Sequence, residues 1–329
     1  MRTFRVAMQA ITAGCGALLA VSAAGQQTTL KGVCAFPDAH FYCQPFDAFI
    51  KGTKEGNVGL QINYLGGAPK VMAPFEVVKN LKAGVIEFAG VPGGFYTNVM
   101  PEADALKLAE LPIAELRKSA AWELISRIHS EKANAYYLGK TAEYHGYHLY
   151  LNKPIDKASL AGLKIRVVPI YRAMVEALGA TAITSPPPEL YTMLERNTVD
   201  GYGFPLYGIF DFSWQKVTKY RVEPGFYVAD MHWLVNLDAW KKLSDAQRNL
   251  LQTLMLKLEA AEAMHDPKNL AANEAERKRQ ADAGIKTIRL PAAEEEKYVK
   301  TAYEAAWASV LKNSPDYGPK LKDVLTRRR

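Results

Sequence analysis

Apolar and polar positions follow two periods along this chain, and the switches between them outline its elements. Gly59–Gly67 (GLQINYLGG) alternates apolar with polar, the period of a half-buried strand, and closes on a glycine pair. Pro74–Gly84 (PFEVVKNLKAG) spaces its apolar residues at helical intervals between an initiating proline and a terminating glycine. Val85–Pro92 is a continuous apolar run, a buried strand leading into the turn Gly93–Tyr96. This strand–helix–strand succession predicts a parallel α/β sheet. Thr28–Phe36 supplies a first strand ahead of it, followed by a helix through Phe46 to Lys51.

The pattern recurs downstream. Residues 114–134 read as helix, and Glu143–Ile155 as a strand of alternating aromatics ended by Pro154. Leu163–Val168 is a strand; Pro169 then opens a helix that runs to Leu178 and is closed by Gly179. A short strand, Ala180–Thr184, precedes three prolines that preset a helix from about Pro188, with Asn197 suited to its left-handed end. Val199–Gly208 is a strand end with a glycine-rich exit, and Phe226–Leu237 is a further strand. Helices dominate beyond Asp238: Ser244 and Gln247 form a capping box, Leu270–Gly284 is a charged helix, and Ala292–Asn313 gathers its acids at the N-terminal end.

Residues 1–25 form a separate module. Arg2 and Arg5 precede a mostly apolar run from Val6 to Ala20, and Val21–Gly25 offers small residues for cleavage, the layout of a secretory signal peptide. A membrane anchor fits less well, because the run is short and interrupted by Gln9 and Thr12; a lipoprotein leader ending at Cys15 is the other alternative. Removing this segment takes the net charge from +7 to +5. The remaining cations are scattered, with only Arg327–Arg329 as a dense run, so nothing points to nucleic acid. Cys34 and Cys43 remain as an even pair in an exported chain, which reads as a disulfide, with two buried thiols as the alternative. Zinc is poorly served, since only His40 lies between them.

Enzymatic motifs are absent. GYGFPLYG lacks both the G-x-G-x-x-G spacing and the Lys-Ser/Thr of a phosphate loop, and there is no H-E-x-x-H or G-x-S-x-G. His145 and His148 stand three apart in a strand and so face opposite ways. No cofactor or metal is expected. Aromatic residues crowd the loops after strands: Phe36, Phe95, Tyr96, Tyr202, Phe204, Tyr207, Trp214, His232 and Trp233. The carboxyl ends of strands are where α/β proteins hold ligands. Arg166 stands out as a lone guanidinium in an apolar strand, and a buried guanidinium needs an anion from the protein or from a ligand.

GLKIRVVPIYRAMVEALGA (from Gly162) followed by PPPELYTMLERNTVDG resembles the signature of periplasmic solute-binding proteins of tripartite ATP-independent (TRAP) transporters, the DctP-like family. GGAPKVMAPFEVVKNLKAGVIEFAGVPGGFY before it and NLDAWKKLSDAQRNLL after it extend the resemblance over most of the mature chain. The resemblance implies a two-lobed α/β clam with mixed sheets, a hinge, and a long helix crossing both lobes, drawn from 240–283 or 292–313. It divides the chain into lobe I (26–143 plus 232–270) and lobe II (144–231 plus 271–329), with crossings near Tyr144, Asp230 and Leu270. Arg166 takes the position of the family's carboxylate clamp. Tyr202, Phe204, Tyr96, Phe36, Pro169, Tyr207, Trp214 and His232 are expected around the ligand. Two departures matter: Tyr202-Gly203-Phe204 stands where relatives often carry Gln-Glu-Asn, and the neighbourhood of Gly146 lacks the second arginine of some members. One guanidinium among rings suits a monocarboxylate with an apolar or aromatic body. The expected protein is a periplasmic monomer that hands its ligand to membrane-embedded TRAP permease subunits. The rivals are an exported α/β enzyme using Arg166 as a substrate clamp, and a binding lobe serving a sensor kinase.

Overall fold

A computed structural model describes residues 27–326. The expected leader, residues 1–25, and the Arg327–Arg329 run lie outside the described residues. The strands are, in chain order, β1 (Thr28–Cys34), β2 (Leu60–Gly67), β3 (Phe88–Pro92), β4 (Ala135–Thr141), β5 (Gly146–Leu151), β6 (Lys164–Val167), β7 (Thr181–Thr184), β8 (Gly201–Pro205), β9 (Tyr220–Glu223), β10 (Phe226–Val228), β11 (Met231–Asn236) and β12 (Lys286–Arg289). The helices are α1 (Pro45–Glu55), α2 (Val77–Lys82), α3 (Ile113–Leu116), α4 (Ala120–Ala133), α5 (Pro169–Ala177), α6 (Leu190–Glu195), α7 (Leu237–Lys242), α8 (Asp245–Ala261), α9 (Pro267–Asp282), α10 (Ala292–Asn313) and α11 (Gly318–Leu325).

Two mixed sheets result, one per lobe. The first has the order β2-β1-β3-β11-β4, with β1 parallel to both β2 and β3 and β11 antiparallel to its neighbours. The second runs β12-β9-β5-β8-β6-β7, with β10 paired to β5. Parallel pairing is thus local to β1–β3, β6–β8 and β9–β12, and the strands that return between lobes enter antiparallel. The chain passes between the sheets three times: from β4 to β5, from β10 to β11, and from α8 to α9. The third passage lies before α9, so the boundary expected at Leu270 falls inside a helix.

Several expected elements are revised. The helix read over 114–134 breaks into α3 and α4, because Ser119 caps α4 by accepting from Ala121 N; Asn134 ends it at φ 46°. The strand read over Phe226–Leu237 is two strands in different sheets, separated by Ala229 and Asp230. Both halves are apolar, so no change of pattern marks the switch. The Ser244–Gln247 capping box forms, starting α8. Of the two candidates for a helix crossing both lobes, 240–283 is divided into α7, α8 and α9. The undivided one is α10, which spans 22 residues. It buries Tyr298, Ala302, Ala306 and Val310, one face at intervals of four, against α5 of the second lobe and the 3-10 segment Pro101–Leu108 of the first. α11 packs on α10, on α4 and on that 3-10 segment.

Cys34 and Cys43 are bridged, with their Cα atoms 5.8 Å apart, inside the range a disulfide spans. The bridge ties the carboxyl end of β1 to the start of α1, on either side of two residues, Phe36 and Tyr42, that face the space between the lobes.

Candidate functional site

That space is a narrow, closely packed cleft, lined from the carboxyl ends of β1, β3, β6 and β8 and from the strand passages. Arg166 faces it from β6, with Ile165 and Val167 alternating to the other face. It is fully buried, and among the described residues no carboxylate lies within ion-pair distance. Ser185, at the end of β7, holds one edge of the guanidinium: Nη2 donates to its carbonyl at 2.6 Å and Nε to its hydroxyl at 3.4 Å. Nη1 has no protein partner. Burial draws the pKa of Arg166 down to about 10, far enough above neutrality to leave the group charged. A buried, oriented guanidinium with a free end is an anion site, and its flat fork matches a carboxylate.

The rest of the wall is largely apolar: Phe36, Pro92, Phe95, Val168, Ile170, Pro187, Phe204 and Met231, with the phenols of Tyr42, Tyr147 and Tyr171. Two glycines set its closeness. A Cβ on Gly94 would lie 1.9 Å from Cγ1 of Ile170 in the opposite lobe, so only glycine permits this approach. A Cβ on Gly203 would lie 2.7 Å from the Tyr171 ring, which packs flat on the β8 backbone.

The lobes touch at several polar points. Lys107 donates to Asp104 at 2.6 Å and across the cleft to the Ile170 carbonyl at 2.7 Å. Tyr42 Oη bonds His145 Nε2 at 2.7 Å, and the Phe41 amide donates to Asp211 at 2.9 Å. His40 stacks on Phe36 at 4.4 Å and meets Phe204 and Phe212 of the second lobe; burial takes its pKa down to about 3, so it is neutral.

Asp230, on the passage from β10 to β11, is the acidic side chain of the lining. It accepts from Tyr147 Oη at 3.1 Å, and its Oδ2 lies 2.9 Å from His232 Nε2, off the line of a hydrogen bond. Behind it runs a buried chain. His129 Nδ1 must donate to the Ile125 carbonyl, which can only accept; its Nε2 therefore accepts a hydrogen bond from the Tyr96 hydroxyl, and Tyr96 in turn accepts from His232 Nδ1 at 2.5 Å. Burial, then the neighbouring His232, holds His129 down at about 3.

Of the residues expected around the ligand, Arg166, Phe36 and Phe204 line the cleft together. Tyr202 does not: it pairs with Arg166 in the sheet but sits two residues deeper than Phe204, stacked on Tyr150 and bonded to Thr218. Trp214 lies behind Phe204 and Tyr202 with its rings edge-on at 4.7 and 5.1 Å. Tyr207 stacks on Phe41 near the passage at His145, and Pro169 opens α5 and faces a separate polar groove. Tyr96 and His232 belong to the chain behind Asp230, because alternation turns His232 away from the cleft where Met231 faces it. Sequence reasoning missed Tyr42, Tyr147, Tyr171 and Asp230. Tyr171 was open to discovery, being one turn into the helix that Pro169 starts; the others need the lobes assembled. Among the described residues no group of three or more His, Cys, Asp or Glu could hold a metal, and no helix is long and apolar enough to cross a membrane.

The fold recurs in solved TRAP periplasmic solute-binding proteins. One from Desulfovibrio salexigens with bound orotic acid superposes with a TM-score of 0.79 at 20% identity, covering 90% of this chain and 97% of that one. A Bordetella pertussis extracytoplasmic solute receptor binding pyroglutamic acid gives 0.79 at 18%, covering 91% and 100%. One from Roseobacter denitrificans with bound L-galactonate gives 0.76 at 19%, covering 92% and 99%. Residues 116–313 match the DctP model, described as bacterial extracellular solute-binding protein, family 7. The chain belongs to that family of bacterial extracellular solute-binding proteins, and its two-lobed fold is the one these solved structures share.

Proposed function

We propose that this protein, once exported, captures a monocarboxylic acid with an apolar or aromatic body between its lobes and delivers it to the membrane permease subunits of a TRAP transporter. The observation that carries the reading is Arg166: a charged guanidinium, fully buried, held by Ser185 with Nη1 unpartnered, in a cleft whose other walls are mostly rings and aliphatic chains. In that setting a ligand carboxylate supplies the missing counter-charge, and lobe closure excludes the water that would compete for it. The absence of a second lining arginine argues against a diacid, and the scarcity of polar side chains argues against a heavily hydroxylated sugar acid. Solved neighbours carrying orotic acid and pyroglutamic acid are consistent with small acids in this fold. The leader expected over residues 1–25 fits the extracellular designation of the family.

Native mass spectrometry of protein purified without added ligand, followed by calorimetry with keto, aromatic and aliphatic monoacids, tests the reading. The expected outcome is one acid bound per chain, with no turnover when protein and acid are mixed in equal amounts. Tight binding of a C4-dicarboxylate, with none of any monoacid, would overturn it.

A further inference from the structure

Asp230 is the acidic group of the cleft lining, and its basic neighbour is His232, whose Nε2 lies 2.9 Å from Oδ2 off the line of a hydrogen bond. Asp230 is buried, at 3% exposure, and among the described residues no lysine or arginine lies within ion-pair distance. It receives one aligned hydrogen bond from the protein, from Tyr147 to Oδ1, although an ionised carboxylate has about four acceptor positions. It does not pair with Arg166, whose own bonds go to Ser185. Burial raises the Tyr171 phenol most; the neighbouring Arg166 opposes that shift and Asp230 adds to it. Asp230 is also fixed in place. His232, anchored by Tyr96, stands against Oδ2, and Gly93 leaves no room beside that oxygen, since a Cβ there would come within 2.6 Å of it.

Building on the carboxylate reading above, we propose that Asp230 makes the cleft selective for monocarboxylic acids that carry a hydroxyl or ammonium donor at the end remote from the carboxylate. An acid with a hydrocarbon end strips water from Asp230 and returns no hydrogen bond. A donor restores one, and an ammonium also supplies the opposite charge. A diacid sets a like charge against Asp230, which the desolvated cleft makes strongly unfavourable. Arg166 then reads one end of the ligand and Asp230 the other, with the rings gripping the middle.

Matched probes test this by calorimetry on the wild-type protein: 4-hydroxyphenylacetate against phenylacetate, and 5-aminopentanoate against both pentanoate and glutarate. The donor-bearing member of each pair is expected to bind about 10- to 100-fold tighter, the range of a hydrogen bond to a charged group. Glutarate is expected to bind most weakly of its set. Asp230→Asn, whose amide can donate as well as accept, should draw each ratio toward unity and improve glutarate binding; a merely structural role for Asp230 would move neither. Equal affinities within both pairs would overturn the role of Asp230 while leaving the carboxylate reading standing, because both members would still bind through Arg166. Glutarate binding tighter than 5-aminopentanoate would also overturn it, and failure of all five acids to bind would overturn both readings. If Asp230→Asn does not fold, the wild-type ratios decide alone.

Discussion

Replacing Arg166 separates a ligand clamp from a structural ion, because the two roles predict opposite effects on the ligand-free protein. The side chain is fully buried in the cleft lining, its protein hydrogen bonds go to Ser185, and its Nη1 is free. Nη1 and the second N–H of Nη2 form an end-on fork for two carboxylate oxygens. Truncating one member of a buried, hydrogen-bonded charge pair costs about 2–5 kcal/mol, or roughly 30- to 5,000-fold in affinity. Arg166→Ala should therefore weaken binding of the bound acid by that factor. Arg166→Lys should fall in between, since it keeps the charge and loses the planar fork. Arg166→Met fills similar space without a charge, so the ligand-free protein should melt at the wild-type temperature or above it, an uncompensated buried cation having been removed. Calorimetry gives the affinities and scanning fluorimetry the melting temperatures. Wild-type affinity in a folded Arg166→Ala protein would refute the clamp. A lowered melting temperature for Arg166→Met, with binding retained, would show that the arginine serves the fold.

Gly94→Val should block the approach to Ile170 across the cleft, weakening ligand affinity by at least about tenfold with little change in melting temperature, since the clash arises only on closure. Small-angle scattering should find the variant open with ligand present; a closed profile would refute the argument. His40, at about 3, is held neutral by burial between the lobes, so its contribution is full above its ordinary pKa near 6.5 and is lost as pH falls toward about 3. Affinity should then drop by about fivefold between about pH 6.5 and 5.5, and by about tenfold for each further pH unit down. His40→Phe should flatten that slope, and a wild-type affinity independent of pH would count against it. Unreduced, denatured mature protein should titrate no free thiol, and replacing Cys34 and Cys43 together by Ser should lower unfolding stability by about 2.6 kcal/mol in a denaturant titration, from loop entropy alone.

The elements best read from sequence were those whose ends carry their own chemistry. Pro169 and Gly179 bracket α5, Ser244 and Gln247 start α8, and Asn197 takes the left-handed conformation expected of it. β4, β9 and β12 went unread. β9 and β12 are short; they pair with each other, and β9 also with β5, so their strand character comes from partners distant in sequence. The same holds within the site. Arg166 was visible because a charge inside LKIRVV breaks the local pattern. Tyr202 looked like its neighbour because it shares a face with Phe204, but depth along β8 separates a residue of the wall from one behind it.

By itself the sequence determined the α/β succession, the cysteine pair and the need for an anion at Arg166, all properties of residues close together in the chain. Tertiary structure decided which rings meet that arginine and which only support it. It also brought Asp230 into the same cleft from 64 positions further along, on a passage between sheets that no local pattern marks. The reason is physical: periodicity reports which face of an element is buried, whereas a binding site depends on what the neighbouring elements bring to that face.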